Sequence, residues 1–228
     1  MANETKSDNS SANSATVFLT FDDGPQPGTD DVIGVLEAKQ VKGTLFMVGE
    51  HVEQSAWRKG VLKSAQNSRY VELANHSNTH AHNKYQQYYK DPDKVAEGFD
   101  TASHTLGLSG KSIPARLPGR NTWRVGQITQ NDLASGAAAD KLARNGYRIY
   151  GWDSEWHMKN GNTVESPEEM FSTVKAVFEK KKTKKVGKQI ILMHDVMFKA
   201  STGGKHKLER FIDLLKNAGY QMETISNY

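Results

Sequence analysis

The 228-residue chain is 36% hydrophobic and 25% charged, carries a formal net charge of +4 and has no cysteine. That is the composition of an ordinary globular domain large enough for a real core. It excludes disulfides and thiolate metal sites, so any metal must be held by imidazole and carboxylate groups. No run is long and apolar enough to span a bilayer, and no signal-peptide core is present. A targeting segment preceding Met1 in a natural precursor is left open. The pI near 9.0 suits an acidic polymer as partner. Much of the excess sits in Lys180-Lys181-Lys182-Thr183-Lys184-Lys185, which reads equally well as a solvated helix end.

Residues 1–15, Ser/Asn-rich and without large apolar side chains, read as a disordered leader before a single domain over 16–228. Val17, Phe18 and Leu19 form a short apolar strand into Thr20-Phe21-Asp22-Asp23-Gly24-Pro25, where Gly24-Pro25 stops it. Thr29 is expected to cap a helix over about 30–40. Thr44–Val48 reads as a buried strand, followed by a helix over roughly 52–65. Tyr70–Leu73 is a third strand running into Asn75-His76-Ser77-Asn78-Thr79-His80. The stretch 82–89 reads as a surface loop, and Pro92 opens a helix to about Leu106. Pro114–Gly119 is a short strand and turn. Residues 140–145 close a helix at Gly146. Residues 147–153 are strand-like. Ser166-Pro167-Glu168-Glu169 is a capping box opening a helix to about Lys181. Gln189–Met193 is a buried strand ending at His194-Asp195. An amphipathic helix over 207–217 and a strand near 220–225 close the chain. Alternating strands and helices argue for parallel β/α units, in a barrel or an open sheet. In both, sites lie at the C-terminal ends of strands. Asp22-Asp23, His76, Gly119, Asp153 and His194 all fall there.

Neighbouring aspartates on a strand diverge, so Asp22 and Asp23 can take different tasks, one on a metal and one on a proton. Two imidazoles and a carboxylate leave open positions for water and substrate. The spacing His76-x-x-x-His80 lets two rings converge on a helical turn or in a compact loop, with His82 as a competing ligand. His194, after an apolar strand, suits a general acid near neutral pH. Arg116 suits a rim carboxylate. Trp152 reads as core and Trp156 as a groove wall. Tyr85, Tyr88, Tyr89 and Trp123 fall on expected loops, where aromatic rings stack on sugars or merely pack.

Taken together, Thr20–Pro25, His76/His80, Arg116-x-Pro118, Asp153–Trp156 and Leu192-Met193-His194 resemble the five ordered motifs of the polysaccharide deacetylases. These are the NodB-homology proteins of carbohydrate esterase family four, and the similarity runs from about Thr16 to Asn227. The resemblance implies a distorted (β/α) barrel of seven or eight strands in a single domain. It implies one divalent metal, zinc first, with cobalt, nickel or manganese as alternatives, held by Asp23, His76 and His80. By the same resemblance Asp22 is the general base, oriented by Arg116, and His194 the general acid. The backbone N–H of Gly119, after Pro118, is the oxyanion donor. Leu192 lines the acetyl pocket, with Trp156, Pro118 and Asp153 as further substrate contacts. Two departures stand out. Gly119 replaces a frequent aromatic residue. The fourth motif ends Glu155-Trp156 rather than Asp-Trp, so either Glu155, favoured by adjacency, or Asp153 steadies His194. The implied reaction is removal of N-acetyl groups from N-acetylglucosamine in peptidoglycan or chitin-like chains, outside the cytoplasm, by a monomer needing no nucleic acid. Acetylated xylan, a small cyclic amide, or a catalytically silent carbohydrate-binding role are the alternatives.

Overall fold

The computed structural model describes residues 15–228, so all but the last residue of the expected leader lies outside the described residues. The strands are β1 (Thr16–Gly24), β2 (Gly43–Met47), β3 (Val71–Asn75), β4 (Ile113–Ala115), β5 (Trp123–Val125), β6 (Ile128–Gln130), β7 (Tyr147–Ile149), β8 (Ser154–Glu155), β9 (Met158–Lys159), β10 (Asn162–Thr163), β11 (Lys188–His194) and β12 (Gln221–Met222). The helices are α1 (Thr29–Lys39), α2 (Gly49–Glu53), α3 (Ala56–Asn67), α4 (Tyr85–Tyr88), α5 (Pro92–Leu106), α6 (Gly136–Arg144), α7 (Pro167–Glu179) and α8 (Gly204–Asn217). Seven strands run parallel in the order β7-β4-β3-β2-β1-β11-β8, extended at one edge by the antiparallel β5 and β6.

The sheet curls round on itself through one stretch of chain. Residues 147–150 pair with β4, Tyr150 donating to the Ala115 carbonyl at 2.9 Å. Three residues later Asp153 donates to Ile190 at 2.9 Å, and β8 pairs with β11. A single segment thus serves both edges and gives the distorted (β/α) barrel.

Strand alternation sorts the side chains. Val17, Leu19 and Phe21 of β1, Leu45 and Met47 of β2, and Ile191 and Met193 of β11 face outward to α1 and α8 in the larger core. Phe18, Phe46, Ala74 and Ile190 face inward and form the barrel's own core with Trp123 and Tyr150. The inner set continues upward as Thr20, Asp22, Leu192 and His194, so the inner face turns polar at its C-terminal end. The 1–1 register Asp22↔His194 makes these two residues neighbours on adjacent strands.

Local chemistry departs from expectation in a few places. The cap of α1 is Gly28; the Thr29 hydroxyl instead donates to the Asp195 carboxylate and accepts from the Gln26 N–H. The helix expected over 52–65 is two, because Ser55 caps a new start at Ala56. The presumed loop at 82–89 contains α4 and ends with Tyr89 buried, its hydroxyl donating to the Pro118 carbonyl at 2.7 Å. The capping box at Ser166–Glu169 forms as read.

Candidate active site

At the C-terminal end of the barrel a cavity of about 270 Å³ is lined by Asp22, Asp23, His76, His80, Leu117, Gly119, Trp152, Leu192 and His194, with Asn83, Tyr85 and Met158 completing it. Asp23 stands where β1 bulges, in the left-handed conformation at φ 79°. Its carbonyl accepts from His51 Nδ1 at 2.7 Å, which fixes the turn. Asp23 Oδ1 lies 3.4 Å from His76 Nε2 and 3.1 Å from His80 Nε2. It has no hydrogen-bond partner although it is buried.

His76 Nδ1 lies 2.9 Å from the Arg116 carbonyl, so this nitrogen carries the proton and Nε2 offers its lone pair. His80 reaches the same point by the compact loop rather than a helical turn. Residues His80, Ala81, His82 and Asn83 all have positive φ, between 45° and 59°. Such a left-handed turn costs L-residues about 1–2 kcal/mol each, so the rest of the fold must hold it. His82, the competing ligand, points away and pairs with Glu50 at 2.9 Å, its side chain 66% exposed.

The electrostatics agree with a cation site. Burial opposes ionisation of Asp23, but His76, His80 and His194 outweigh it and hold the carboxyl well below its usual range. Burial, reinforced by His76, pushes His80 down to about 4, so its imidazole is neutral at pH 7. Burial also pulls His76 down, yet Asp22 and Asp23 together raise it. The three residues' donor atoms lie within 4.8 Å of one another, and Asp23 Oδ1 among them is buried without a hydrogen-bond partner. This donor set, two imidazoles and one carboxylate with an open face, fits a divalent metal.

Below Asp23, His76 and His80, Arg116 fills the barrel axis with no solvent exposure. Nη1 donates to Asp22 Oδ1 at 2.7 Å and to Thr20 Oγ1 at 2.9 Å, Nε to the Tyr150 carbonyl and Nη2 to the Gly151 carbonyl. Phe46 lies under the guanidinium, 4.2 Å away. Asp22 is thereby oriented from one oxygen, leaving Oδ2 on the cavity side, 3.5 Å from His76 Nε2.

The opposite wall differs from expectation. His194 lines the cavity, but its Nδ1 is buried without a partner. Glu155 stands beside Leu192 in register and makes no ion pair with His194. Asp153 spends both oxygens on the backbone N–H groups of Lys184 and Ile190, each at 2.8 Å. Ile190 lies four residues before His194, roughly 13 Å along the strand. Neither carboxylate reaches the imidazole.

Trp156 is likewise no groove wall. It is fully buried, donates to the Glu165 carbonyl at 2.9 Å and packs on Phe198 and Phe211. The reason is parity: Glu155 pairs with inward-facing Leu192, so its neighbour must face outward. Trp152 lines the cavity instead. Pro118 is buried, and Leu117, itself without solvent exposure, is the neighbour that lines the cavity.

Gly119 sits at φ 63°, where glycine is strongly favoured, and a Cβ there would meet ring carbons of Tyr85 at 3.1 Å. Tyr85, from a different loop, occupies the space that an aromatic residue at 119 would fill. Of the loop aromatics, Tyr85 alone lines this cavity; Tyr89 and Trp123 are core. Asn83, Leu117 and Met158 carried no sequence signal.

A family model described as polysaccharide deacetylase matches residues 9–106. A chitin disaccharide deacetylase from Vibrio alginolyticus is 27% identical over an alignment of 308 residues, 93% of this chain and 71% of the relative. A peptidoglycan-N-acetylglucosamine deacetylase from Bacillus cereus is 23% identical over 209 residues, 90% of this chain and 67% of the relative. Among solved structures, a CE4 esterase from Streptococcus mutans superposes with a TM-score of 0.69 at 24% identity, covering 93% of this chain and 86% of that one.

Proposed function

Since the chain belongs to the polysaccharide deacetylase family, we propose that it hydrolyses N-acetyl groups of N-acetylglucosamine units in a peptidoglycan- or chitin-like glycan, releasing acetate. The observation that carries this reading is the unpartnered Asp23 Oδ1 between two imidazole nitrogens, directly beside an Arg116-oriented Asp22 and across from His194. Asp23, His76 and His80 would hold one divalent ion, with zinc the first choice. When bound, such an ion polarises the acetamide carbonyl and acidifies water.

The protein's own groups then divide the work. Asp22 accepts the proton of the attacking water through Oδ2, while Arg116 keeps Oδ1 fixed. Among the described residues no protein carbonyl accepts from the N–H of Gly119, a residue that lines the cavity, and this donor supports the developing oxyanion. One such donor contributes roughly 3 kcal/mol. His194 delivers the proton that the departing amine requires. Leu192 and Trp152 close the apolar side against the acetyl methyl. The cavity shares Asn83 and Tyr85 with a larger neighbouring cleft, which favours a chain-like glycan over a small cyclic amide. Such a substrate implies work outside the cytoplasm, and no described helix is long and apolar enough to cross a membrane.

Mass spectrometry of defined N-acetylglucosamine oligomers and peptidoglycan fragments tests the proposal. The expected result is a loss of acetyl mass units that a chelator abolishes and added zinc restores. Unchanged oligomers with the metal-loaded protein would defeat it.

A further inference from the structure

Beside the metal cavity lies a cleft of about 640 Å³, walled by Asn83, Lys84, Tyr85, Gln86, Gln87, Lys90 and Arg120. It shares Asn83 and Tyr85 with the cavity and has no acidic residue in its wall. Arg120 is only 7% exposed. Its guanidinium lies 5.4 Å from the Tyr85 ring and 5.2 Å from the Tyr89 ring. Nη1 donates to the Gly119 carbonyl at 2.7 Å, but Nε is buried without any partner. Elsewhere cations are paired, as Arg124 is with Asp140, Lys94 with Asp91 and Lys141 with Asp93. Arg120, Lys84 and Lys90 have no carboxylate partner among the described residues.

A buried guanidinium with an unmet donor needs an acceptor, and its planar fork matches a carboxylate. The two tyrosines hold that fork at low entropic cost, while the exposed lysines add attraction at longer range. Tyr85 lines both this cleft and the reacting cavity and so joins the two. We propose that the cleft is a subsite for a carboxylate-bearing sugar adjoining the N-acetylated unit that reacts, with Arg120 receiving the carboxylate. Its placement relative to the reacting sugar rests on the deacetylase reading. The carboxylate can belong to a 3-O-lactyl ether or to a uronate, since both present the same group.

The test is binding to metal-free protein, where nothing turns over. Titration calorimetry compares three oligosaccharides of equal length: N-acetylglucosamine alone, the same chain with 3-O-lactyl ethers on alternate sugars, and a chain alternating with uronates. At low salt at least one carboxylated chain should bind about 10-fold tighter than the neutral one, and the better of the two identifies the source. Arg120→Gln should bring that ratio toward one. Because Arg120 is packed between rings and its loss can disturb folding, Lys84→Gln with Lys90→Gln, both on the exposed wall, provides an independent measure. It should lower the ratio and flatten its salt dependence. Equal affinity for all three chains, or a ratio that neither variant moves, overturns the proposal. Acetate release on the metal-loaded enzyme is scored separately. Its absence on all three chains would sink the deacetylase reading, while the binding ratio would still decide the cleft.

Discussion

The two flanks of the cavity are built differently. On the metal flank three of the four groups are secured from behind, His76 by the Arg116 carbonyl, Asp22 by the Arg116 guanidinium and Asp23 by His51, while His80 is held through its backbone N–H, which donates to Ser77 Oγ at 3.0 Å. The one loose buried atom there, Asp23 Oδ1, points into the space a metal would take. On the acid flank two buried atoms, His194 Nδ1 and Asp195 Oδ1, lack partners and do not satisfy each other. His194 is placed by strand register and packing alone. The metal flank is therefore preorganised by polar contacts, and the acid flank by the backbone of β11.

Breaking the metal flank should have the largest effect. His76→Ala, His80→Ala or Asp23→Asn should each reduce zinc affinity by more than ~100-fold, since loss of a ligand exceeds the 10–100-fold expected for an outer partner. His82→Ala should bind metal nearly normally, because His82 is turned toward Glu50. Chelator competition measures both. Metal lost in His82→Ala but kept in His80→Ala would reverse the ligand assignment.

Next comes the base. Asp22→Asn should keep the metal and lower kcat by about 100-fold or more. It also leaves Arg116 without its carboxylate, so the melting temperature should fall as well. Equal zinc loss in Asp22→Asn and Asp23→Asn would mean that the two aspartates do not divide their roles.

On the acid flank, His194→Ala should leave zinc affinity intact and discriminate between substrates. Amine expulsion needs a proton; an aryl acetate expels a phenolate with less help. The rate loss on an N-acetyl glycan should exceed that on an aryl acetate by about 10-fold or more, measured on folded protein. A ratio near one would assign His194 a structural part only.

How much of this was legible in the sequence follows from distance along the chain. Asp22-Asp23, His76/His80 and His194 each end an apolar run, so strand and site were readable together, and the capping box at Ser166 needed only four contiguous residues. What failed needed a partner strand. Trp156 reads as a groove wall from the rim position of its segment, yet register with Leu192 turns it into the core and leaves Trp152 at the cavity. Asp153 looked like a rim carboxylate, and its hydrogen bonds to Ile190 and Lys184 arise only because one segment joins both edges of the sheet. The substitution of Tyr85 for a side chain at 119 is a contact between two loops, invisible in either.

A smaller effect belongs to Asp195. Burial raises its carboxyl well above the usual range, with Asp23 and Asp22 adding to the rise and the Thr29 hydroxyl opposing it. A raised acid favours folding while it is protonated in the folded state. That contribution is present at low pH and is lost as pH climbs above about 3.8 toward the folded value. Relative to the parent, Asp195→Asn should therefore gain stability as pH rises from 4 to 8, read from denaturant midpoints. A difference independent of pH would mean that the carboxyl is ionised throughout.

The smallest effect separates the two flanks most sharply. If His194 were held as His76 is, by a polar partner, removing that partner would reproduce a weaker form of His194→Ala. Glu155 is the residue that motif order nominates, and it stands one strand away beside Leu192 without contacting the imidazole. Glu155→Gln preserves size and removes only charge. A carboxylate that does not touch the ring cannot orient it. The amide-to-ester rate ratio should stay within about 2-fold of the parent. A ratio reduced as in His194→Ala would show that Glu155 swings onto Nδ1 when substrate binds, and the acid flank would then be wired like the metal flank after all.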